Sequence, residues 1–315
     1  MAKKETDEIK LTRIYDAPVK MVWDAWTDVE QVAKWWGPRG FTITTHSKDL
    51  RPGGHWDYTM HGPDGTDWPN VTKYFEVEKY KKLVYDHGGN KDQPPLFRVT
   101  ALFKDLGGKT ELQMTMKFES VERAKQIAVH IKQAGGNSTW DRLAEYLADK
   151  DGGHRFYINR SFEAPMATVF KMWTDPEHFS RWLPPTGMTM ENIRSDVKVG
   201  GAIFFKMTDG KSTTMYGNFT YVEITPVTKI VYIQDFRDKD GNPGRHPLAP
   251  VWPSKMLATV TLSEEGRDQT RVTVQFEPYG ECTTEEVDMF TSARAGMTQG
   301  WTGSFDKLEE LLPKN

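Results

Sequence analysis

Arg13-Ile14-Tyr15-Asp16-Ala17-Pro18 recurs as Arg160-Ser161-Phe162-Glu163-Ala164-Pro165. Each hexapeptide runs Arg, any residue, aromatic, acid, Ala-Pro, and the two lie 147 residues apart. The same offset carries Trp26-Thr27-Asp28 onto Trp173-Thr174-Asp175, Trp35 onto Trp182 and Gly53-Gly54 onto Gly200-Gly201. It still holds at Glu76 and Glu223, and at Val84-Tyr85 and Val231-Tyr232. A constant offset over such a span means one unit written twice without net insertion. Beyond Tyr232 the second copy gains residues: Thr110 aligns with Thr270 at an offset of 160, and Gly135 with Gly300 at 165. The joint falls in the polar, Gly-containing stretch Ala148-Asp149-Lys150-Asp151-Gly152-Gly153, which reads as a short linker. The expected domains are therefore residues 1–151 and 152–315.

Within one copy, Ile9 to Tyr15 alternates as a strand does. Pro18 is expected in the first turn of a helix whose Val22, Ala25 and Trp26 share a face. Thr27-Asp28 stops that helix and caps a second one carrying Val32, Trp35 and Trp36. In the second copy Asp175 caps, Pro176 opens the helix, and Phe179 and Trp182 supply its apolar face. After Gly53-Gly54, Trp56, Tyr58 and Met60 share one face of a strand, and His55, Asp57, Thr59 and His61 the other. The matching set is Ile203, Phe205 and Met207. Further strands are expected over Lys73 to Val77, Lys82 to His87, Phe97 to Lys104 and Thr110 to Phe118. A helix closes each copy, with Trp140, Leu143, Ala144 and Leu147 in one and Trp301, Phe305, Leu308 and Leu312 in the other. An α+β unit with a curved antiparallel sheet gripping the last helix would bury all these faces.

Composition narrows the function classes. The chain has 315 residues, 11 Trp, 16 Phe and a formal net charge of -3. The first copy is neutral and the second carries the net -3, so neither has the basic excess that phosphate binding requires, and nucleic acid is not an expected partner. No apolar run approaches the roughly 20 residues of a membrane span. Met1 to Lys10 is charged, unlike a secretory leader, and Cys282 is the single cysteine. Both point to a reducing, cytoplasmic setting.

The Arg-x-aromatic-x-Ala-Pro start, Trp-Thr-Asp, the following Trp, Pro52-Gly53-Gly54 and the aromatic last helix together resemble the SRPBCC, or START-like, superfamily. Its branch similar to the C-terminal domain of the activator of heat-shock-protein-90 ATPase matches best, twice over nearly the whole chain. The second copy departs with Lys198-Val199 before its glycines, Leu183-Pro184 for Trp36-Gly37, and a longer loop around Asp238 to Trp252. The resemblance implies a helix-grip fold with a cavity between sheet and long helix. It does not fix an activity, because members bind apolar molecules, cyclise polyketides or assist chaperones.

Two copies of an apolar cavity without a catalytic constellation point to binding of a small, largely apolar ligand. The expected lining in the first copy is Trp35, Trp36, Trp56, Tyr58, Tyr74, Tyr85, His87, Met114 and Met116. In the second it is Trp182, Phe205, Met207, Tyr221 and Tyr232, with Met215 and Met256 as adaptable wall. The same residue types also build ordinary cores. The first copy is expected to have the better-formed mouth.

Other chemistries have weaker footing. A cyclase or hydrolase would need His87, Tyr85, Gln234 or Asp235 to converge, with His87 as a base, yet no carboxylate partner for it is evident. His55, Asp57 and His61 share strand parity but fall short of the ligands a closed metal site gathers, so no metal and no cofactor is expected. Asp238-Lys239-Asp240-Gly241-Asn242 begins like a calcium loop, but Ala249 stands where the bidentate Glu belongs, and a polar turn is expected. Cys282 has no evident base. A chaperone-cofactor role is disfavoured, because the family's activators carry a further N-terminal module and about eight residues precede the first copy.

Overall fold

In a computed structural model that describes residues 6–90, 93–133, 138–150, 154–266 and 268–313, the chain divides into two compact units, Met1–Asp151 and Gly152–Asn315. The first contains β1 (Glu8–Tyr15), α1 (Val19–Thr27), α2 (Val29–Val32), β2 (Thr42–Lys48), β3 (His55–His61) and β4 (Asp67–Glu78). It continues with β5 (Lys82–His87), β6 (Phe97–Asp105), β7 (Thr110–Lys117), α3 (Val121–Gln133) and α4 (Ser138–Lys150). The second repeats the order with β8 (Phe156–Phe162), α5 (Met166–Thr174), α6 (Pro176–Trp182), β9 (Thr189–Ser195), β10 (Ala202–Thr208) and β11 (Thr214–Thr225). It closes with β12 (Lys229–Arg237), β13 (Lys255–Gly266), β14 (Gln269–Pro278), α7 (Thr284–Ser292) and α8 (Arg294–Leu311). Each unit is one seven-stranded sheet, ordered β1-β7-β6-β5-β4-β3-β2 and β8-β14-β13-β12-β11-β10-β9. Neighbouring strands in both are antiparallel. These are two tandem α+β helix-grip domains.

The repeated residues make repeated bonds. Asp28 and Asp175 cap α2 and α6 by accepting backbone N–H groups of the first turn. Trp35 Nε1 donates to Ala25 O at 2.9 Å, and Trp182 Nε1 to Met172 O at 2.8 Å, so each indole locks its second helix against the first. Thr110 Oγ1 donates to Ala17 O at 2.8 Å and Thr270 Oγ1 to Ala164 O at 2.7 Å, tying the Ala-Pro turn to the strand beside the first one. Gly54 and Gly201 are fixed by close approach: a Cβ would lie 2.2 Å from Asp49 O in one and 2.3 Å from Asp196 O in the other. Period-two burial on β7 and β14 turns one sheet face inward, where the Trp, Phe and Met side chains form one core in each unit.

Several local expectations change. Pro18 is the N-cap of α1, not its first helical residue. α2 ends at Val32, and Trp35 and Trp36 follow it in a turn. The edge strand β2 is additional, and β4 begins at Asp67, well before Lys73. Two helices, not one, follow each last strand. Trp140 stacks on Trp26 (5.5 Å, 14°) as Trp301 stacks on Trp173 (6.0 Å, 17°), so the offset at the last helix is 161. Gly300 therefore stands opposite Thr139, and the expected pairing with Gly135 fails; Gly135 itself lies outside the described residues.

Candidate functional site

Thirteen residues separate the offset of 147 at Tyr232 from that of 160 at Thr270, and twelve of them lengthen the connection from β12 to β13, since His87 pairs with Phe97 where Gln234 pairs with Met256. That connection, the sheet and α8 enclose a cavity of about 420 Å³ in the second unit. The sheet contributes Phe205 and Met207 from β10, Met215 and Phe219 from β11, and Tyr232, Gln234 and Phe236 from β12. Met256 and Phe276 extend that wall on β13 and β14. Leu183, Pro185 and Met188, in the turn after α6, form one side, and His246 and Trp252 of the long connection another. Across from the sheet lie Ala293 and, on α8, Gly296, Met297, Gly300, Trp301 and Ser304.

The volume falls in the range of small-molecule sites, about 300–1,000 Å³. Two features of the backbone keep it open. Gly296, Gly300 and Ser304 recur every four residues, so one stripe of α8 facing the cavity carries almost no side chain. A Cβ on Gly296 or Gly300 would meet nothing within 4 Å. On the sheet, Gly217 lets the Phe205 ring lie flat across its neighbour strand, since a Cβ there would sit 2.4 Å from Phe205 Cζ. The ring then stacks on Phe219 at 4.6 Å.

Hydrogen bonds pin the walls. Ser304 Oγ donates to Leu183 O (2.7 Å), and Lys307 Nζ to Pro184 O (2.9 Å) and Pro185 O (3.2 Å), holding the turn against α8. In the long connection, the Asp238 carboxylate accepts the backbone N–H groups of Asp240 and Asn242. This is the polar turn expected there, with its carboxyl held below the usual range mainly by Asn242. Arg245 pairs with Glu286 of α7 at 2.6 Å and donates to Trp252 O. Trp252 packs on Phe290.

The cavity wall contains no Asp, Glu, Lys or Arg. Its polar side-chain groups are the Tyr232 hydroxyl, the Gln234 amide, the His246 imidazole, the Ser304 hydroxyl and the indole N–H groups of Trp252 and Trp301. Burial raises Tyr232 far above the ordinary phenol range and lowers His246 below the ordinary imidazole range, so both are neutral at pH 7.

Of the residues expected to line a pocket, Phe205, Met207 and Tyr232 do so, as do Met215, Met256 and Gln234. Trp182 and Tyr221 are buried in the same core but stand off the wall. This cavity lies in the second copy, whereas the sequence reading favours the first for its mouth. Phe276 was open to inference, because the offset places it opposite Met116, an expected lining residue, whereas Phe219 stands opposite Thr72, which was not one. His246, Trp252 and the small stripe on α8 carry no apolar period and were missed.

In the first unit the expected residues close on one another. Trp35, Trp36, Trp56, Tyr58, Tyr74, Tyr85, Met114 and Met116 belong to one buried cluster. Trp36 sits edge-on to Trp56 (5.6 Å), His87 (5.8 Å) and Trp140 (6.1 Å), and its Nε1 donates to Tyr58 Oη (3.3 Å). Trp56 stacks on Tyr58 at 3.9 Å. His87 Nδ1 is buried without a hydrogen-bond partner, and burial pushes its pKa down to about 4. Lys48, which sequence did not single out, points Nζ at Trp26 O (3.3 Å) over the Trp56 ring (4.5 Å), and burial lowers it to about 7. Arg142 clamps the turn after α2 by donating to Gly37 O (2.8 Å) and Pro38 O (2.9 Å).

His87 and Tyr85 belong to one unit, Gln234 and Asp235 to the other. Asp235 is turned to the opposite face of β12 from Gln234 and paired with Arg237. His55 and His61 bond across to Ser47 (3.0 Å) and Thr44 (2.8 Å) on the outer face, and His61 to Asp67 (2.6 Å). Among the described residues no three His, Cys, Asp or Glu gather as for a metal, and no helix is long and apolar enough to cross a membrane. Burial, with Glu286 beside it, raises the Cys282 thiol.

No curated protein matches the chain. Among solved structures, a protein from Arthrobacter aurescens is similar at 24% identity, over 47% of this chain and 90% of that one, with a TM-score of 0.43. One from Nitrosomonas europaea is similar at 24% identity, over 48% and 99%, with a TM-score of 0.43. The di-domain ARO/CYC BexL from the BE-7585A biosynthetic pathway is similar at 11% identity over 98% of this chain and 99% of that one, with a TM-score of 0.39. The model of the activator of Hsp90 ATPase homolog 1-like proteins matches twice, over residues 16–148 and 163–313, and the chain belongs to that family.

Proposed function

We propose that the second unit binds a small, uncharged, largely apolar molecule in the cavity between its sheet and α8. The observation that carries this reading is Gly300, a glycine in a helix interior on the cavity wall, where a Cβ would meet nothing within 4 Å. Glycine there costs about 1 kcal/mol of helix stability relative to alanine. Open volume is what that cost preserves. The five methionines of the wall (Met188, Met207, Met215, Met256 and Met297) give a surface that adapts to ligand shape. The first unit, on this reading, is a packed partner domain whose expected pocket residues serve as core. A cytoplasmic setting fits the single thiol.

Native mass spectrometry of protein purified gently from its own source, followed by solvent extraction, tests this. A stoichiometric apolar compound, released on denaturation and absent from a Gly300→Leu variant that still folds, is the expected result. A ligand retained equally by Gly300→Leu would move the site elsewhere. Clean apo mass together with no uptake of apolar probes would shift weight to protein interaction, including docking on a chaperone.

A further inference from the structure

The long connection after β12 places the His246 ring on the wall of a cavity lined by no Asp, Glu, Lys or Arg. His246 lies edge-on to Phe236 (4.8 Å between ring centres) and tilted against Trp252 (6.0 Å). Leu248 N–H donates to His246 Nδ1 at 3.0 Å. That bond uses the Nδ1 lone pair, so the neutral ring carries its proton on Nε2. No hydrogen bond from Nε2 is made among the described residues. The segment is built to hold this ring: Arg245, the preceding residue, is fixed to Glu286 and to Trp252 O.

An N–H facing an apolar cavity gains from an acceptor and loses when desolvated without one. A carboxylate is a poor acceptor here, because a buried anion would have no cation on the wall to pair with. A neutral carbonyl fits: it accepts without donating and brings no charge. We infer that the cavity selects an apolar ligand bearing an uncharged carbonyl oxygen, and that His246 is the specificity-determining residue, donating Nε2–H to it. This rests on the binding reading above.

Fluorene and 9-fluorenone, a matched pair differing by one carbonyl, test it on the full chain by calorimetric titration at pH 7.5. Fluorenone is expected to bind about 10-fold tighter, the worth of one hydrogen bond whose protein partner is otherwise unpaired. Fluorene-9-carboxylate is expected to bind more weakly than fluorene. His246→Leu should reduce the fluorenone preference, read as the ratio of the two affinities within that variant, to within about 2-fold; His246→Gln, which keeps a donor, should retain part of it. Equal affinities for the pair in the unmodified protein would overturn the inference without any variant. So would a preference that survives in a folded His246→Leu protein, or a preference for the carboxylate. Failure of all three probes to bind would instead sink the cavity reading, and this inference with it.

Discussion

The two units share a frame and differ in what fills it. Both spend a tryptophan N–H on the carbonyl of the preceding helix, a threonine on the Ala-Pro turn and a cation on the turn after the second helix. Inside that frame the first unit places Trp36, Trp56, Thr72 and His87 where the second places Leu183, Ile203, Phe219 and Gln234. Leu143 of the first unit is fully buried at the position of Ser304 in the second. Losing two indoles and gaining a helix face of glycine and serine leaves room that one added phenyl ring does not fill. The contrast teaches that hydrogen bonds to backbone hold this architecture, while the inward side chains decide whether the interior is core or cavity.

The largest expected effect comes from breaking the packed side. Trp36→Leu installs the residue of the second unit in the first. It deletes ring contacts to Trp26, Trp35, Trp56 and Trp140 and should cost about 3 kcal/mol of stability, by loss of buried area and by the void left behind. Urea unfolding read by far-UV circular dichroism checks it, and a change below about 0.5 kcal/mol would mean that Trp36 already borders open space. The reverse change, Leu183→Trp, should leave the second unit folded and reduce fluorenone affinity by about 100-fold, since an indole would stand where the ligand does. Unaltered affinity would remove Leu183 from the site.

The pair His87 and Gln234 separates the units by pH. His87 titrates near 6.5 when unfolded and about 4 when folded. Between those values the unfolded chain binds more protons, so stability is full above pH 6.5 and falls as pH drops towards 4. The limiting slope is about 1.4 kcal/mol per pH unit for one group. His87→Gln, borrowing the residue of the second unit, should flatten that slope in urea titrations at pH 7, 6 and 5. An unchanged slope would assign the acid sensitivity to other groups.

Much of the frame was legible because it is written in residues with one local job. Asp28 and Asp175 cap, and the Ala-Pro turns and Thr110 with Thr270 recur at fixed offsets. β2 was not legible: Thr-Ile-Thr-Thr-His-Ser-Lys at the sheet edge buries no residue fully and so shows no apolar period. The start of β4 was hidden by Pro69, which the structure tolerates on β4 opposite Thr59. α7 had a readable start, the capping box of Thr283 and Glu286. The site was the hardest part. A pocket wall and a core use the same Phe, Met and Trp, and only volume separates them. That volume comes from residues which a search for apolar periodicity passes over: Gly296, Gly300 and Ser304, and a polar connection that brings in His246 and Trp252.

The smallest predicted effect is the most discriminating about why the units differ. Gly300→Ala adds one methyl to a helix at a position with no neighbour within 4 Å. Helix propensity alone should then stabilise the second unit by about 1 kcal/mol. On the binding reading the methyl takes up cavity volume, so ligand affinity should fall modestly, by about 3-fold for a ligand that fills the space. In the first unit the same place is Thr139, already buried, and Thr139→Ala can gain no such helix stability without opening a void. A second unit that gains stability and loses affinity together marks Gly300 as kept for the cavity. Gain without loss would mean the ligand never reaches α8, and the packed and open halves would then differ in sequence for a reason other than binding.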